Sequence, residues 1–554
     1  MDKITDFEQA RLLYIPQLPP ALQHGAAVEE RCLGATVAAG GEEEIAALFP
    51  EIFGLPRVCF DQRAERAEGA PLAVGVVFSG GQAPGGHNVV SGLFDGIKSI
   101  NGASRLYGFK NGPDGLIANK YIELDAPLVD RYRNTGGFDM LCSSRTKLER
   151  QEQFDAVFAN AAALALSAIV IIGGDDSNTN ACLLAEDFAR RGSALRVVGC
   201  PKTIDGDLKN EYIETSFGFD TASRVYSNLI GNICRDALSA GKYWHFVKLM
   251  GRSASHLTLE CALRTHPNVA LISEEIRAKN IPLSQIVDEL AAVVAARAGE
   301  GKNFGVALVP EGLIEFIPEI GVLIDELNDI FAKRGARIDA LEDVDRESYI
   351  TKYLSAKSVY VYQSLPERIR FQLCAERDPH GNAQVSVVET EKLLADMVRE
   401  RLRAMMREGR YKASFHPAFH FLGYEGRCAA PSNFDANYCY ALGYNAAALI
   451  AAGRSGYISC IWNMEMPACE WKCGGVPLTA MMDMERRKGE MKPVIRKSLV
   501  DLEGAPFKYF AARRQLWTKG EDYLYPGSIQ YFGARKLCDD ISETLKLEKG
   551  ALRA

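Results

Sequence analysis

The chain has 554 residues, of which 47% are hydrophobic and 24% charged, a composition typical of globular proteins with room for more than one domain. Its net charge of −7 argues against nucleic acid or an anionic membrane as the main partner, so an anionic substrate would have to meet locally clustered Lys and Arg. The sequence has no apolar run of the roughly 18 residues that a membrane span needs, and no apolar stretch follows its first charged residues as in a secretory signal. We therefore expect a cytoplasmic protein with reduced cysteines.

Apolar runs alternate with helical patterns along most of the chain, which is typical of an α/β protein with doubly wound, Rossmann-like domains. The predicted strands are 72–78, 105–109, 168–172, 196–200, 244–250, 269–272, 305–309 and 457–461. Residues 1–70 look like an N-terminal extension ahead of the first strand. From 318 to 375 the pattern changes and predicts a mostly helical insertion, with an apolar stripe through Ile320, Val322, Leu323, Ile324, Leu327, Ile330 and Phe331.

A glycine-rich loop, Ser79–Asn88, follows the first predicted strand and precedes a helical pattern. The N-terminus of a helix offers unpaired N–H groups to a phosphate, and glycine lets the backbone approach closely. The loop has neither the Lys-Ser/Thr of a Walker loop nor the spacing of a dinucleotide fingerprint. It is compatible with phosphate binding, and an ordinary tight turn is the alternative.

Two carboxylate-bearing loops, Gly173–Ser177 and Pro201–Asp207, follow the strands predicted at 168–172 and 196–200. Because ligands of open α/β sheets bind beyond the carboxyl ends of the strands, we expect both loops to open onto one crevice. Carboxylates there could hold magnesium or accept a proton, and a lysine could neutralise phosphoryl charge. These residues favour phosphoryl transfer, although the first loop could also be a helix start at which Asp suits the helix dipole.

Five short motifs occur in order along the chain: Gly173-Gly174-Asp175-Asp176, Pro201-Lys202-Thr203-Ile204-Asp205-Gly206-Asp207, Met250-Gly251-Arg252, Pro310-Glu311-Gly312 and Tyr424-Glu425-Gly426-Arg427. Together they resemble the phosphofructokinase family and, within it, the long pyrophosphate-dependent form. The resemblance runs from about residue 72 to 435, and the helical insertion also suits the long form. It implies magnesium-dependent, reversible phosphoryl transfer from pyrophosphate to the 1-hydroxyl of fructose 6-phosphate, giving fructose 1,6-bisphosphate and phosphate.

The resemblance also implies roles for the residues of the first two motifs. Asp205 would be the base that takes the proton of the sugar hydroxyl, and Thr203 would help to position the transferring group. Asp175 would hold Mg²⁺, in part through water. Further contacts to the substrates would come from Gly81, Arg145 and Ile204.

Sugar-phosphate recognition would depend on the remaining motifs, through Met250, Gly251, Arg252, Glu311, Tyr424, Glu425, Gly426 and Arg427. Arginine suits a phosphate because its planar guanidinium donates two parallel hydrogen bonds. Structural alternatives are that Arg252 caps a strand end and that Tyr424 belongs to the core. Lys242 and Tyr243 match positions at which family members reach into the site of a neighbouring subunit, which implies a homodimer or a higher homo-oligomer.

Two side chains, Asp176 and Lys202, predict the phosphoryl donor, because ATP-dependent relatives carry glycine at both positions. The carboxylate of Asp176 would occupy the space of a nucleotide's α-phosphate, and two unit charges about 4 Å apart repel by roughly 1–4 kcal/mol. Lys202 would stabilise charge on the transferring group. Both residues favour pyrophosphate; the alternatives are an ATP-dependent 6-phosphofructokinase and a non-catalytic regulatory subunit of the same fold.

The resemblance implies a division of the chain into functional segments. After the extension at 1–70, residues 71–240 would form a pyrophosphate-binding α/β domain. Residues 241–317 would begin the sugar-phosphate-binding domain. That domain would be interrupted by the helical insertion at 318–375 and would continue, with a C-terminal segment, through 376–554.

Overall fold

Each predicted run forms a strand close to its predicted bounds in the computed structural model, which also contains strands that we did not predict. The structure describes residues 5–63, 69–375, 377, 383–487, 490–527, 529–530 and 532–550. Because the predicted runs are apolar and rich in β-branched residues, they form buried strands. The strands are β1 (Glu29–Ala35), β2 (Pro56–Asp61), β3 (Ala73–Phe78), β4 (Arg105–Phe109), β5 (Tyr121–Leu124), β6 (Ala168–Gly173), β7 (Arg196–Pro201), β8 (Trp244–Leu249), β9 (Val269–Ala270), β10 (Gly305–Pro310), β11 (Pro417–Leu422), β12 (Tyr457–Trp462), β13 (Lys472–Pro477), β14 (Met482–Arg487) and β15 (Glu490–Ile495).

Helices occupy most of the sequence between these strands. They are α1 (Asp6–Leu12), α2 (Glu42–Leu48), α3 (Gly86–Ile100), α4 (Pro113–Ile117), α5 (Ala126–Tyr132), α6 (Gln151–Ala163), α7 (Asp175–Arg190), α8 (Phe219–Ala240), α9 (His256–Thr265), α10 (Ser273–Ala278), α11 (Leu283–Gly299), α12 (Leu313–Phe316), α13 (Pro318–Asp339), α14 (Asp343–Thr351), α15 (Ala356–Ser364), α16 (Glu367–Cys374), α17 (Thr390–Arg407), α18 (Tyr424–Arg427), α19 (Asn433–Ala451), α20 (Ala505–Lys519), α21 (Arg535–Cys538) and α22 (Glu543–Glu548). Among the described residues, no helix is both long and apolar enough to cross a bilayer.

The chain forms two compact units, of which unit 1 comprises Met1–Ala222, Tyr424–Ser498 and Ile529–Leu545. Its large sheet has the strand order β1-β2-β13-β12-β7-β6-β3-β4-β5. The strands from β12 to β4 pair in parallel, whereas β1, β2, β13 and β5 join through antiparallel pairs. The chain returns to unit 1 at Tyr424, whereas we predicted that residues 376–554 continue the sugar-phosphate-binding domain with a C-terminal segment.

The parallel register of unit 1 brings three loops to one edge of the sheet. Phe78 at the end of β3 pairs with Ile172 of β6, and Gly173 at the end of β6 pairs with Pro201 of β7. The glycine-rich loop and both carboxylate loops start at these ends, so they share the carboxyl edge at which ligands bind.

The prediction that the first strand begins near residue 72 was wrong, because β1 and β2 precede it and extend the large sheet through β2 and β13. Within β1, only Glu30 is even partly covered from solvent. An exposed edge strand of this kind has no apolar run to reveal it, since neither of its faces is buried. Residues 1–4 and 64–68 of the predicted extension lie outside the described residues.

Unit 2 comprises Ser223–Gly423, Leu499–Ser528 and Lys546–Ala554, and it contains a fully parallel sheet in the order β11-β8-β10-β9. The predicted helical segment is confirmed as helices α13 to α16. Five of its predicted stripe residues are buried in the core of this unit: Ile320, Leu323, Ile324, Leu327 and Ile330. Val322 was wrongly included in the stripe; it is 54% exposed, because the 3.6-residue period turns it away from Ile320 and Leu323.

Candidate active site

Three cationic side chains of unit 1 converge on two glycines of the loop after β3. A Cβ atom on Gly80 would lie 3.2 Å from Lys202 Nζ. A Cβ on Gly81 would lie 3.0 Å from Arg427 Nη1 and 3.5 Å from Arg145 Nη2. Gly80 has a φ of +85°, which glycine adopts without strain. The loop therefore exposes its backbone to the space that these cations line, an arrangement suited to a phosphate group.

Lys202 is a buried cation at the start of the second carboxylate loop. It is only 5% exposed, and its backbone N–H donates to the carbonyl oxygen of Gly173 at 3.0 Å. Burial, reinforced by the nearby charge of Arg427, lowers the pKa of Lys202 to about 8, against the opposing effect of Asp205. An arriving phosphate would find an ammonium group that has already lost most of its water.

Asp205 lies beside the same cations. Its Oδ1 is 3.7 Å from Arg427 Nη2, and its backbone N–H donates to Thr203 Oγ1 at 3.1 Å. Ser216 Oγ holds the loop from the other side by donating to the carbonyl oxygen of Thr203 at 2.9 Å. Ile204 is fully buried, so only its backbone can reach a substrate. The fold thus brings a carboxylate next to a cluster of cations suited to a phosphate, where it could accept a proton.

Asp207, to which the sequence assigns no role, is a buried carboxyl of the same loop. It is 7% exposed, and burial, reinforced by the charges of Asp205 and Asp175, raises its pKa to about 7. The backbone carbonyl of Asp207 accepts from the N–H of Ser498 at 2.7 Å, which ties the loop to a segment nearly 300 residues away. Burial of Asp207 therefore favours the neutral form of its carboxyl group.

Asp175 and Asp176 are the first two residues of α7, where acidic side chains suit the helix dipole. Each carboxylate also has a lysine partner that sequence reasoning missed. Asp175 Oδ2 lies 3.4 Å from Lys497 Nζ, and Asp176 Oδ1 lies 3.0 Å from Lys147 Nζ. Lys147 follows Arg145 by two residues and could have been suspected, whereas no sequence pattern links Lys497 to this loop.

The carboxylate oxygens here fit a magnesium ion that is held by few protein ligands. Among the described residues, no group of three or more His, Cys, Asp or Glu side chains could enclose a metal ion. The carboxylates of Asp175 and Asp205 lie close enough to Asp207 for their charges to add to the effect of burial in raising its pKa. Mg²⁺ typically keeps several waters and binds one or two carboxylates together with substrate phosphates. The site suits an ion held in that way.

The motifs at 250–252 and 310–312 come together in unit 2, at the adjacent ends of β8 and β10. Glu311 is 4% exposed; its N–H donates to the carbonyl oxygen of Leu249 at 2.8 Å, and its Oε2 accepts from the N–H of Gly251 at 3.0 Å. Arg252 Nη2 donates to Glu315 Oε1 at 3.1 Å, so this arginine is anchored by a carboxylate. The backbone around Gly251 is thus fixed by a buried acid.

The other predicted residues of unit 2 flank β8. Met250 is buried, and its N–H donates to the carbonyl oxygen of Leu422 at 3.0 Å, which continues the pairing of β8 with β11. Lys242 and Tyr243 precede β8, with Lys242 Nζ 5.0 Å from the ring centre of Tyr243. Lys242 is exposed, so its ammonium group is available to a ligand or a partner.

The last motif forms the short helix α18 in unit 1, not in a continuation of the sugar-phosphate domain. Tyr424 is 67% exposed, which rules out the alternative that it belongs to the core. Glu425 is also exposed, while Gly426 is buried. Arg427 is the member of this motif that reaches Gly81 and Asp205.

Residues 73–450 match the model of the family described as Phosphofructokinase. The chain belongs to the phosphofructokinase family. A Porphyromonas gingivalis protein named pyrophosphate–fructose 6-phosphate 1-phosphotransferase is 55% identical over 540 residues, covering 98% of each chain. A protein of the same name from Treponema pallidum is 51% identical over 559 residues, covering 99% of this chain and 98% of its own. The β1 subunit of the enzyme of that name from Arabidopsis thaliana is 50% identical over 548 residues, covering 99% of this chain and 95% of its own.

Solved phosphofructokinase structures share the fold. The crystal structure of a pyrophosphate-dependent phosphofructokinase from Nitrosospira multiformis superposes with a TM-score of 0.54 at 16% identity, covering 82% of this chain and 93% of its own. This similarity confirms the predicted α/β phosphofructokinase fold.

Proposed function

We propose that the chain is a pyrophosphate-dependent phosphofructokinase, which transfers a phosphoryl group between pyrophosphate and the 1-hydroxyl of fructose 6-phosphate. The observation that carries this proposal is the convergence of Lys202, Arg145 and Arg427 on Gly80 and Gly81, next to the carboxylate of Asp205. In phosphoryl transfer a protein mainly positions the reactants and stabilises charge on the transferring group. A cationic cluster beside a carboxylate supplies both functions.

Each residue of unit 1 has a role that follows from its position. Lys202 and Arg145 bind pyrophosphate and stabilise its charge as the bridging P–O bond breaks, while Arg427, which is assigned to the sugar phosphate, also reaches Gly81 of the glycine-rich loop. Asp205 accepts the proton of the 1-hydroxyl as that oxygen attacks, and Thr203 holds the backbone of Asp205. Asp175 would hold Mg²⁺, which when bound neutralises charge on the phosphates.

Pyrophosphate is the donor that the local charges favour. Asp176 places a carboxylate at the N-terminus of α7, a position that would otherwise attract a further phosphate of a nucleotide. The names of the relatives from Porphyromonas gingivalis and Treponema pallidum specify pyrophosphate, which supports the same donor.

Recognition of the sugar phosphate is assigned to Met250, Gly251, Arg252 and Glu311, and to residues 424–427. The protein acts as a homodimer or a higher homo-oligomer in the cytoplasm, with Lys242 and Tyr243 reaching a neighbouring subunit's site. The exposure of Lys242 and its contact with Tyr243 support this role.

The decisive assay supplies fructose 6-phosphate and magnesium with either pyrophosphate or ATP as the only donor. Formation of fructose 1,6-bisphosphate with pyrophosphate alone is the expected result. Activity with ATP alone would contradict the roles of Asp176 and Lys202. No activity with either donor would contradict the proposed reaction and favour a regulatory subunit.

A further inference from the structure

Lys147 forms an ion pair with the carboxylate that we propose as the barrier to nucleotides. Its Nζ lies 3.0 Å from Asp176 Oδ1, with the two side chains 23% and 34% exposed. The pair lies at the edge of the sheet that carries the phosphate-binding loops, since Asp176 is in the first turn of α7. Partial burial reduces the screening that makes fully exposed ion pairs weak.

The fold fixes the backbone of Lys147 against the helix that carries Asp176. Asn180, one turn after Asp176, is buried; its Oδ1 accepts from the N–H of Leu148 at 3.2 Å, and its Nδ2 donates to the carbonyl oxygen of Thr146 at 3.2 Å. Gln153 Nε2 donates to the carbonyl oxygen of Lys147 itself at 3.1 Å. Lys147 is therefore held between two anchored neighbours, and its side chain starts from a fixed point beside Asp176.

The same short segment also carries Arg145, whose Nη2 is 3.5 Å from the position that a Cβ on Gly81 would take. Residues 145–147 thus bring two cations to the part of unit 1 where pyrophosphate is proposed to bind. One of them reaches the loop that would hold pyrophosphate, and the other is paired with Asp176. A longer chain of phosphates would meet the second cation if the carboxylate were absent.

We infer that Lys147 is a residue that determines donor specificity: it is a latent binding position for a third phosphate, and the carboxylate of Asp176 occupies it. Asp176 then excludes a nucleotide in two ways. Its carboxylate repels the α-phosphate, and it forms an ion pair with the lysine that would otherwise bind that phosphate. This inference rests on the proposed function, because it extends the role given there to Asp176.

The net charge left at positions 147 and 176 in different variants distinguishes a binding role for Lys147 from simple repulsion by Asp176. The native pair carries a net charge of zero. Asp176→Gly leaves the ammonium of Lys147, Lys147→Met leaves the carboxylate, and the double variant leaves neither. If Asp176 acted by repulsion alone, the single variant Asp176→Gly and the double variant would accept a third phosphate equally well.

The test measures binding of two probes by titration calorimetry in the presence of magnesium: the nucleotide analogue AMP-PNP, and inorganic tripolyphosphate, which has a third phosphate but no nucleoside. We expect Asp176→Gly to bind both probes at least about tenfold more tightly than Asp176→Gly/Lys147→Met, as expected for one more charge contact. Asp176→Gly/Lys147→Arg should retain the tighter binding.

Lys147→Met alone should raise the KM for pyrophosphate, because it leaves the carboxylate without its lysine partner.

A matched control is available in Lys492, whose Nζ lies 3.4 Å from Glu149 Oε1 in a comparable lysine–carboxylate pair of unit 1. Asp176→Gly/Lys492→Met removes the same charge elsewhere and should bind the probes as tightly as Asp176→Gly. Equal affinity of Asp176→Gly and Asp176→Gly/Lys147→Met would overturn the inference, as would a failure of Asp176→Gly to bind either probe. Turnover of the unaltered protein with pyrophosphate tests the proposed function separately.

Discussion

Lys202 is a buried lysine whose charge we propose to be required for pyrophosphate use, and its titration should be visible in the kinetics. Because burial lowers its pKa to about 8, the side chain is charged below that pH and loses its proton as the pH rises through it. We expect kcat/KM for pyrophosphate, which reports the free enzyme, to fall as the pH rises above about 8. The fall in kcat should lie at higher pH, because a bound anion favours the charged form.

Lys202→Arg provides the control for this pH dependence, since a guanidinium stays charged throughout the range. Even if the variant is slower, the fall near pH 8 should disappear from its profile. A native profile that stays level from about pH 7 to 10 would show that the charge of Lys202 does not limit pyrophosphate use.

Asp205 is the carboxylate best placed to act as the base. Asp205→Asn keeps the size of the side chain but cannot accept the proton, so turnover should fall by roughly 10²–10⁴-fold. Binding of fructose 6-phosphate, measured by calorimetry, should stay within about twofold, because recognition of the sugar is assigned to other residues. As a control, Asp288→Asn removes an exposed carboxylate, paired with Arg401, in unit 2 and should retain full turnover. Retention of full activity by Asp205→Asn would remove that residue from the mechanism.

Helices α3 and α19 of unit 1 pack so closely that only glycine fits at their contact. A Cβ on Gly92 would lie 2.1 Å from the carbonyl oxygen of Tyr440, and one on Gly443 would lie 1.9 Å from that of Val89. Since α3 begins at the end of the glycine-rich loop that is proposed to bind phosphate, this packing also fixes the position of that loop. The glycines at this helix contact therefore also help to position the candidate active site.

Gly92→Ala should therefore destabilise the protein, although alanine has the higher helix propensity by about 1 kcal/mol. The expected loss is about 1–3 kcal/mol or more, since the obstacle is backbone that can yield only by moving a helix. Urea unfolding measures the change. Gly102→Ala is the matched control, because its Cβ would have no atom within 4 Å. Equal stability of the two variants would mean that the helices separate without cost.

The turn after β8 depends on a buried acceptor, Glu311 Oε2, for the N–H of Gly251. Glu311→Ala leaves that donor unsatisfied and should cost about 1–3 kcal/mol of unfolding free energy. Glu311→Gln keeps an acceptor and should lose much less. Both changes should raise the KM for fructose 6-phosphate, because both remove the carboxylate. Equal stability losses in urea unfolding would contradict the role of the hydrogen bond.

At the scale of the assembled molecule, the proposed sharing of sites between subunits can be tested by complementation. Asp205→Ala and Lys242→Ala should each be inactive alone. In a dimer that exchanges Lys242 and Tyr243 across its interface, a mixed pair has one site with both residues intact. Co-expression in equal amounts should then restore about a quarter of native activity. Activity no greater than that of the separate variants would argue that each chain completes its own site.

Most strands and the helical segment could be predicted from the sequence because their signals are local. The runs at β3, β6 and β7 are apolar apart from Arg196 at the start of β7, which is the pattern of strands buried in a parallel sheet. The period of α13 likewise revealed its buried face, with Val322 as the exception. The exposed strand β1 has no such signal, and its pairing with β2 follows from contacts, not from local pattern.

The sequence predicted the site residues that lie within its motifs. Lys202 and Asp205 are three residues apart in one loop, so their proximity follows from the chain itself. The sequence did not identify Lys147, Asp207 and Lys497 as site residues. The role of a charged side chain depends on the groups near it in the folded protein, and the sequence does not show which groups those are.

The sequence alone determined the family, the parallel sheets and the residue types that phosphoryl transfer needs, since apolar periodicity and ordered motifs are properties of the linear chain. The tertiary structure decided which charges meet. It placed Arg427 beside Gly81, paired Lys147 with Asp176 and Lys497 with Asp175, and buried Lys202 and Asp207 deeply enough to shift their pKa values. Electrostatic energy depends on distance and on burial, and both are set only when remote segments fold together.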